Sequence, residues 1–133
     1  MKTYNQFVNE SVRDAMKPKS KEEIMNSLDG NPTVKFRRSK KTGTSGTFLI
    51  GEIDMNYYDI VNLFGEPDED EYIGNNFYWV LESSDNHLVT IYDNNSDLEF
   101  YELMEEPNYP WHIGGNNKED YKDLLYYIYD KIL

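Results

Sequence analysis

Phe77-Tyr78-Trp79-Val80-Leu81 and Leu88-Val89-Thr90-Ile91-Tyr92, separated by the polar stretch Glu82 to His87, are two aromatic and β-branched runs either side of a break. Side chains of this kind suit a pleated, half-buried surface, and two such runs joined by a short polar connection predict an antiparallel hairpin. Upstream, Met55 to Phe64 carries Tyr57, Ile60, Val61 and Phe64 at helical spacing, with Gly65 and Pro67 as its stop. The acidic run Asp68 to Glu71 between helix and hairpin is read as a loop.

Further upstream, Thr33 to Arg38 alternates, with Val34 and Phe36 facing one way and Lys35 and Arg37 the other. Thr42 to Gly46 reads as a turn and Thr47 to Ile53 as a strand, so these two strands are expected to form a first hairpin. Downstream, Asn94 to Asn108 is polar and irregular, and Trp111 to Ile113 is expected as a last short strand closing at Gly114-Gly115. Asn116 or Asn117 then caps a terminal helix whose Tyr121, Leu124, Leu125, Ile128 and Ile132 line one face. The sum is an α+β fold, a mainly antiparallel sheet of about five strands with two packed helices, forming a single domain over residues 31–133.

Residues 1–30 read as a helical leader. A short amphipathic start runs into Lys17-Pro18-Lys19, and Ser20 and Glu23 have capping-box spacing ahead of Ile24, Met25 and Leu28. Asp29-Gly30-Asn31-Pro32 stops that helix.

The 133 residues, 38% of them apolar, suffice for one core without covalent staples. Cysteine is absent, which excludes disulfides, thiolate zinc sites and cysteine nucleophiles. No apolar run approaches the roughly 20 residues of a membrane span, and Met1 to Glu10 lacks the apolar stretch of a secretory signal, so a cytosolic setting is expected. Charge is divided unevenly: residues 1–41 hold 10 Lys/Arg against 5 Asp/Glu, and residues 42–133 hold 3 against 20. Such an acidic body repels polyphosphate and argues against direct nucleic-acid binding, although a local basic cluster can still hold one small anion.

No phosphate-cradling P-loop, nucleophile elbow or His pair at metal-ligand spacing is present, so an enzyme, a cofactor or a metal site is not expected. The acidic clusters read as solvated loops and His87 as a solvated turn residue. His112, in Trp111-His112-Ile113-Gly114-Gly115, sits where a backbone can approach closely. The basic cluster Lys35, Arg37, Arg38, Lys40 and Lys41 leads into Thr42 to Thr47, where Thr44 and Ser45 offer hydroxyl and N–H donors beside arginine forks suited to phosphate. Tyr78, Trp79, Tyr92 or Trp111 would supply an aromatic face for a base. Arg37, on the same strand face as Lys35, is the preferred arginine. The bland reading of the same cluster is a solvated hairpin that neutralises the acidic body.

Met1-Lys2-Thr3-Tyr4-Asn5-Gln6-Phe7-Val8-Asn9-Glu10 resembles the capsid-targeting peptide of internal head proteins of T-even-type phages. The resemblance implies packaging in the virion head and cleavage after Glu10, with Val8 where that family has Ile or Leu. The body, through Phe64-Gly65-Glu66-Pro67, the Trp79 strand, Thr90-Ile91-Tyr92-Asp93 and Trp111-His112-Ile113-Gly114-Gly115, resembles small phage anti-defence sponges of the Thoeris and CBASS kind. That resemblance implies a homo-oligomer in the host bacterial cytoplasm that sequesters a host nucleotide second messenger, a cyclic oligonucleotide or a cyclic ADP-ribose isomer, without cleaving it. It departs from the family at Asp85-Asn86-His87, where a turn glycine is usual. Two other functions stay open: an acidic DNA mimic that occupies a host defence nuclease, and a structural internal head protein.

Overall fold

The computed structural model describes residues 20–39, 47–70, 75–93 and 98–133. The chain is an α+β fold built on one antiparallel sheet. In chain order the elements are α1 (Lys21–Ser27), β1 (Phe36–Arg38), β2 (Phe48–Met55), α2 (Tyr57–Phe64), β3 (Asp68–Asp70), β4 (Asn75–Ser83), β5 (Leu88–Tyr92), α3 (Phe100–Glu105), β6 (Tyr109–Gly115) and α4 (Lys118–Ile132). The sheet runs β1-β4-β5-β6-β2, and β3 also pairs with β4. The β4–β5 hairpin forms as its composition predicts, with Trp79 opposite Ile91 and Leu81 opposite Val89.

The expected first hairpin does not form. β1 pairs with β4, Phe36 opposite Ser83, whereas β2 pairs with β6 at the other edge. Alternation specifies a strand but not its partner. Eight-residue β2 finds its length matched by seven-residue β6, setting Ile53 against Trp111 and Met55 against Tyr109. Three-residue β1 instead fills the open end of β4, where Phe36 packs on Tyr127 at 5.8 Å.

Asp68–Asp70, expected as loop, is strand β3, and it lies along the same edge of β4 as β1. An edge strand tolerates exposed carboxylates, and Asp68 is met there by Arg38 at 3.0 Å. Within the stretch read as irregular, Phe100–Glu105 is helical because Leu103 is fully buried and its neighbours are not. β6 is longer than expected and lies inside the sheet, between β5 and β2.

Trp79 and Trp111 meet edge to face at 5.3 Å in the centre of the core, joined by Leu81, Val89, Ile91 and Ile113 from the sheet. Ile60 and Phe64 of α2, Leu103 of α3, and Leu124 and Ile128 of α4 complete it. Both indoles satisfy their N–H groups on loop or strand-end carbonyls: Trp79 Nε1 donates to Gly65 O at 2.9 Å and Trp111 Nε1 to Met55 O at 2.9 Å. Asn56 caps α2, and Gly65, at φ 87°, closes its C-terminus in a conformation that favours glycine. Tyr121 of α4 packs on Gly51 and donates its hydroxyl to Glu52 O at 2.6 Å, so the helix shields part of the β2 edge.

Ser20 caps α1 by accepting from Glu23 N–H at 3.2 Å, as the spacing predicts. Residues 20–31 pack against α4: Lys21 Nζ donates to Asp130 O at 2.8 Å, Asn31 N–H donates to Asp123 at 2.8 Å, and Gly30 leaves no room for a Cβ against Lys122 O. The rest of the expected leader, residues 1–19 with Glu10, lies outside the described residues.

Candidate functional site

The β4–β5 turn is held by one buried hydroxyl. Ser83 Oγ accepts from Asp85 N–H at 3.2 Å and His87 N–H at 3.1 Å, while Ser83 N–H donates to His87 O at 2.8 Å. Asn86 takes φ 65°, a left-handed conformation that Asn tolerates better than most side chains. This rigid turn separates two clefts, and Asn86 lines both.

The larger, about 490 Å³, is lined by Thr47, Asn86, His87, Leu88, Asn116, Asn117 and Asp120. Its volume falls within the roughly 300–1,000 Å³ usual for small-molecule sites. Asn117 begins α4 by accepting from Glu119 N–H. Asp120, in the first turn of that helix, is 5% exposed and holds His87 Nδ1 at 2.8 Å. An ionised carboxylate only accepts, so His87 Nδ1 carries the proton and Nε2 is left for other partners. The hydrogen bond to Asp120 and its charge raise the His87 pKa above its ordinary value of 6.5; burial opposes them, and the charges of Asp85 and Asp123 add lesser support.

A raised folded-state pKa favours the native state most below the unfolded value, and the gain fades as pH rises through the folded value. Replacing His87 by Gln is therefore expected to lower the melting temperature at about pH 5.5, with the difference from wild type shrinking as pH rises past the ordinary imidazole range. The ring is half exposed, so the effect should stay within about 1 kcal/mol. Melting curves across that pH range check this; a constant difference would mean that the ion pair contributes nothing.

The smaller cleft, about 240 Å³, is lined by Lys35, Phe36, Arg37, Glu82, Ser83, Ser84 and Asn86. Strand alternation puts Lys35 and Arg37 on one face, and Lys35 N–H is fixed by Ser84 Oγ at 3.0 Å. Arg37 reaches Glu82 only at 3.5 Å, with its side chain 75% exposed. Two cations on a Ser-lined turn can hold an anionic group, and the neighbouring amides and imidazole can hold uncharged polar atoms.

The other residues singled out from sequence lie elsewhere. Arg38 Nη1 donates to Phe64 O at 3.0 Å and Glu66 O at 2.6 Å, and Nη2 meets Asp68, so its guanidinium is committed to the end of α2. Trp79 and Trp111 are fully buried and offer no face to a ligand. Tyr92 and His112 touch each other at 5.5 Å, with His112 Nε2 at 3.2 Å from Glu52, away from both clefts. Thr44, Ser45, Lys40 and Lys41 lie outside the described residues. Sequence reasoning missed Asn86, Asn116, Asn117 and Asp120 as cleft residues. Only the Asn116-Asn117 cap signal pointed toward that place.

Comparison with known families and with curated proteins finds no match to this chain. Among the described residues, no group of His, Asp and Glu is placed to hold a metal ion, and no helix is long and apolar enough to cross a membrane.

Proposed function

We propose that this protein captures a small phosphate-bearing molecule and holds it unchanged, in the manner of a sponge for a host nucleotide-derived signal. The observation that carries the reading is the placement of Lys35 and Arg37 in one cleft, with Asn86 lining both that cleft and the His87 cleft across the turn. Ser84 and the two cations would hold phosphate oxygens, and Asn86, Asn116, Asn117 and His87 would hold the polar edge of the rest.

Magnitudes favour exchange of Glu82 for a ligand. An exposed ion pair like Arg37–Glu82 contributes about 0–1 kcal/mol, whereas a charge-assisted bond to phosphate is worth about 1.5–3 kcal/mol. With both tryptophans in the core, recognition of a base would rest on amide hydrogen bonds rather than on stacking. Packaging through the 1–10 segment, cleavage after Glu10 and assembly with further copies that wall the clefts belong to the same proposal. Together they would deliver a ready inhibitor to the host cytoplasm.

Calorimetry against cyclic di- and trinucleotides and cyclic ADP-ribose isomers tests it. One of them should bind, Arg37→Ala should weaken that binding by about ten- to a hundredfold, and mass spectrometry should recover the ligand intact. Failure of every panel member to bind, or release of a cleaved product, would overturn the reading.

A further inference from the structure

Exposed aromatic side chains stand on α2 and α3, which pack against each other, and none of them lines either cleft. Tyr58, Phe100 and Tyr101 are 51%, 44% and 79% exposed. Tyr58 and Phe100 are the open ends of a ladder of rings: Tyr58 lies 5.1 Å from Tyr57, Tyr57 5.0 Å from Phe77, and Phe77 5.1 Å from Phe100. Asn56 Nδ2 fastens the start of α2 to the end of α3 by donating to Glu106 O at 2.9 Å and Met104 O at 3.4 Å. These rings thus have a fixed base, and aromatic side chains lose little entropy on docking.

The same two helices and their ends carry Asp59, Glu99, Glu102, Glu105 and Glu106, all exposed. None has an ion-pair partner among the described residues. Nothing nearby in sequence can neutralise them, because no Lys or Arg occurs between Thr42 and Asn117. Exposed rings among unpaired carboxylates complement arginine specifically: a guanidinium stacks on a ring while its edge forks to a carboxylate, and an ammonium lacks that planar geometry. Phosphate polymers would be repelled, and a second copy would bring the same acidic surface with it.

We infer that Tyr58, Phe100 and Tyr101, with Asp59, Glu102 and Glu105, form a docking surface for an arginine-bearing protein face of the kind that otherwise grips nucleic-acid phosphates. This surface stands or falls independently of ligand capture at the clefts, with which it shares no residue.

The test is titration of the full chain, near physiological ionic strength, with two peptides of equal length and charge, one of arginine and glycine and the other of lysine and glycine. The arginine peptide should bind about tenfold more tightly. The Tyr58→Ala/Tyr101→Ala double variant should bring the two peptides close to parity, and Glu102→Gln/Glu105→Gln should weaken both about tenfold. Glu22→Gln/Glu23→Gln on α1, an equal loss of charge, should change neither. In amide spectra of the wild type, the arginine peptide should shift residues 58–59 and 99–106, a readout that needs no variant. Equal binding of the two peptides, an equal loss from the α1 control, absence of binding, or shifts confined to other elements would overturn the assignment. So would self-association abolished by Tyr101→Ala, which would make a second copy the occupant.

Discussion

Replacing Trp111 by Ala should cost about 3–5 kcal/mol, the range for deleting a buried aromatic, out of a total stability of about 5–15 kcal/mol for a domain of this kind. The indole is fully buried, meets Trp79 at 5.3 Å and Tyr109 at 4.8 Å, and covers Met55 O with its N–H. Trp111→Phe keeps most of the ring and should lose only about 1–3 kcal/mol, chiefly from leaving that carbonyl unpaired. Urea unfolding monitored by circular dichroism distinguishes the two variants. A folded Trp111→Ala with an unchanged midpoint and impaired ligand binding would instead return this residue to the binding face on which its sequence context placed it.

The second large effect separates two adjacent arginines. Arg38→Ala removes a largely enclosed guanidinium that serves Phe64 O, Glu66 O and Asp68, and it leaves helix-end carbonyls without a donor. A loss of about 2 kcal/mol is expected, or roughly 6–10 °C in melting temperature at this chain length. Lysine should restore only part of it, because one ammonium cannot reproduce a planar fork across three acceptors. Arg37→Ala, at an exposed rim, should stay within about 0.5 kcal/mol of wild type. Similar melting temperatures for the two alanine variants would show that Arg38 does not clamp α2.

These neighbours show where the sequence was legible and where it was not. Composition and period made the β4–β5 hairpin, the Tyr57–Phe64 helix with its Gly65 stop, and the capped C-terminal helix readable, because each depends on interactions within a few residues. Partner choice was not readable. The pairing of β1 with β4 and of β2 with β6 is decided by strand length and by cross-strand fit between segments far apart in the chain. The same limit applied to the candidate site. Alternation separates Arg37 from Arg38 by strand face, but it takes the position of Phe64 and Glu66 to commit Arg38 to structure. His87 looked like a turn residue because Asp120, its partner, lies 33 positions away in an acid-rich helix. The tryptophans illustrate a further ambiguity, since a large amphipathic ring suits a core and a binding face equally well until burial is known.

Strands β1 and β2, from the front of the chain, lie at opposite edges of the sheet, β1 sharing its edge with β3, and each pairs with a strand that follows it in sequence. During synthesis, both segments leave the ribosome before any strand they pair with has been made. Ile53 and Met55 wait for Trp111 and Tyr109, and Phe36 waits for β4 and for Tyr127 of the last helix. Loop-closure entropy must be met before such distant pairings contribute, so the topology places this protein among slower folders for its size. A nascent chain halted before Tyr109 would hold an unpaired β2, bearing Phe48 and Leu49, beside a finished β4–β5 hairpin. The acidic residues that crowd residues 42–117 would then act as gatekeepers, keeping that half-built sheet from joining another like it.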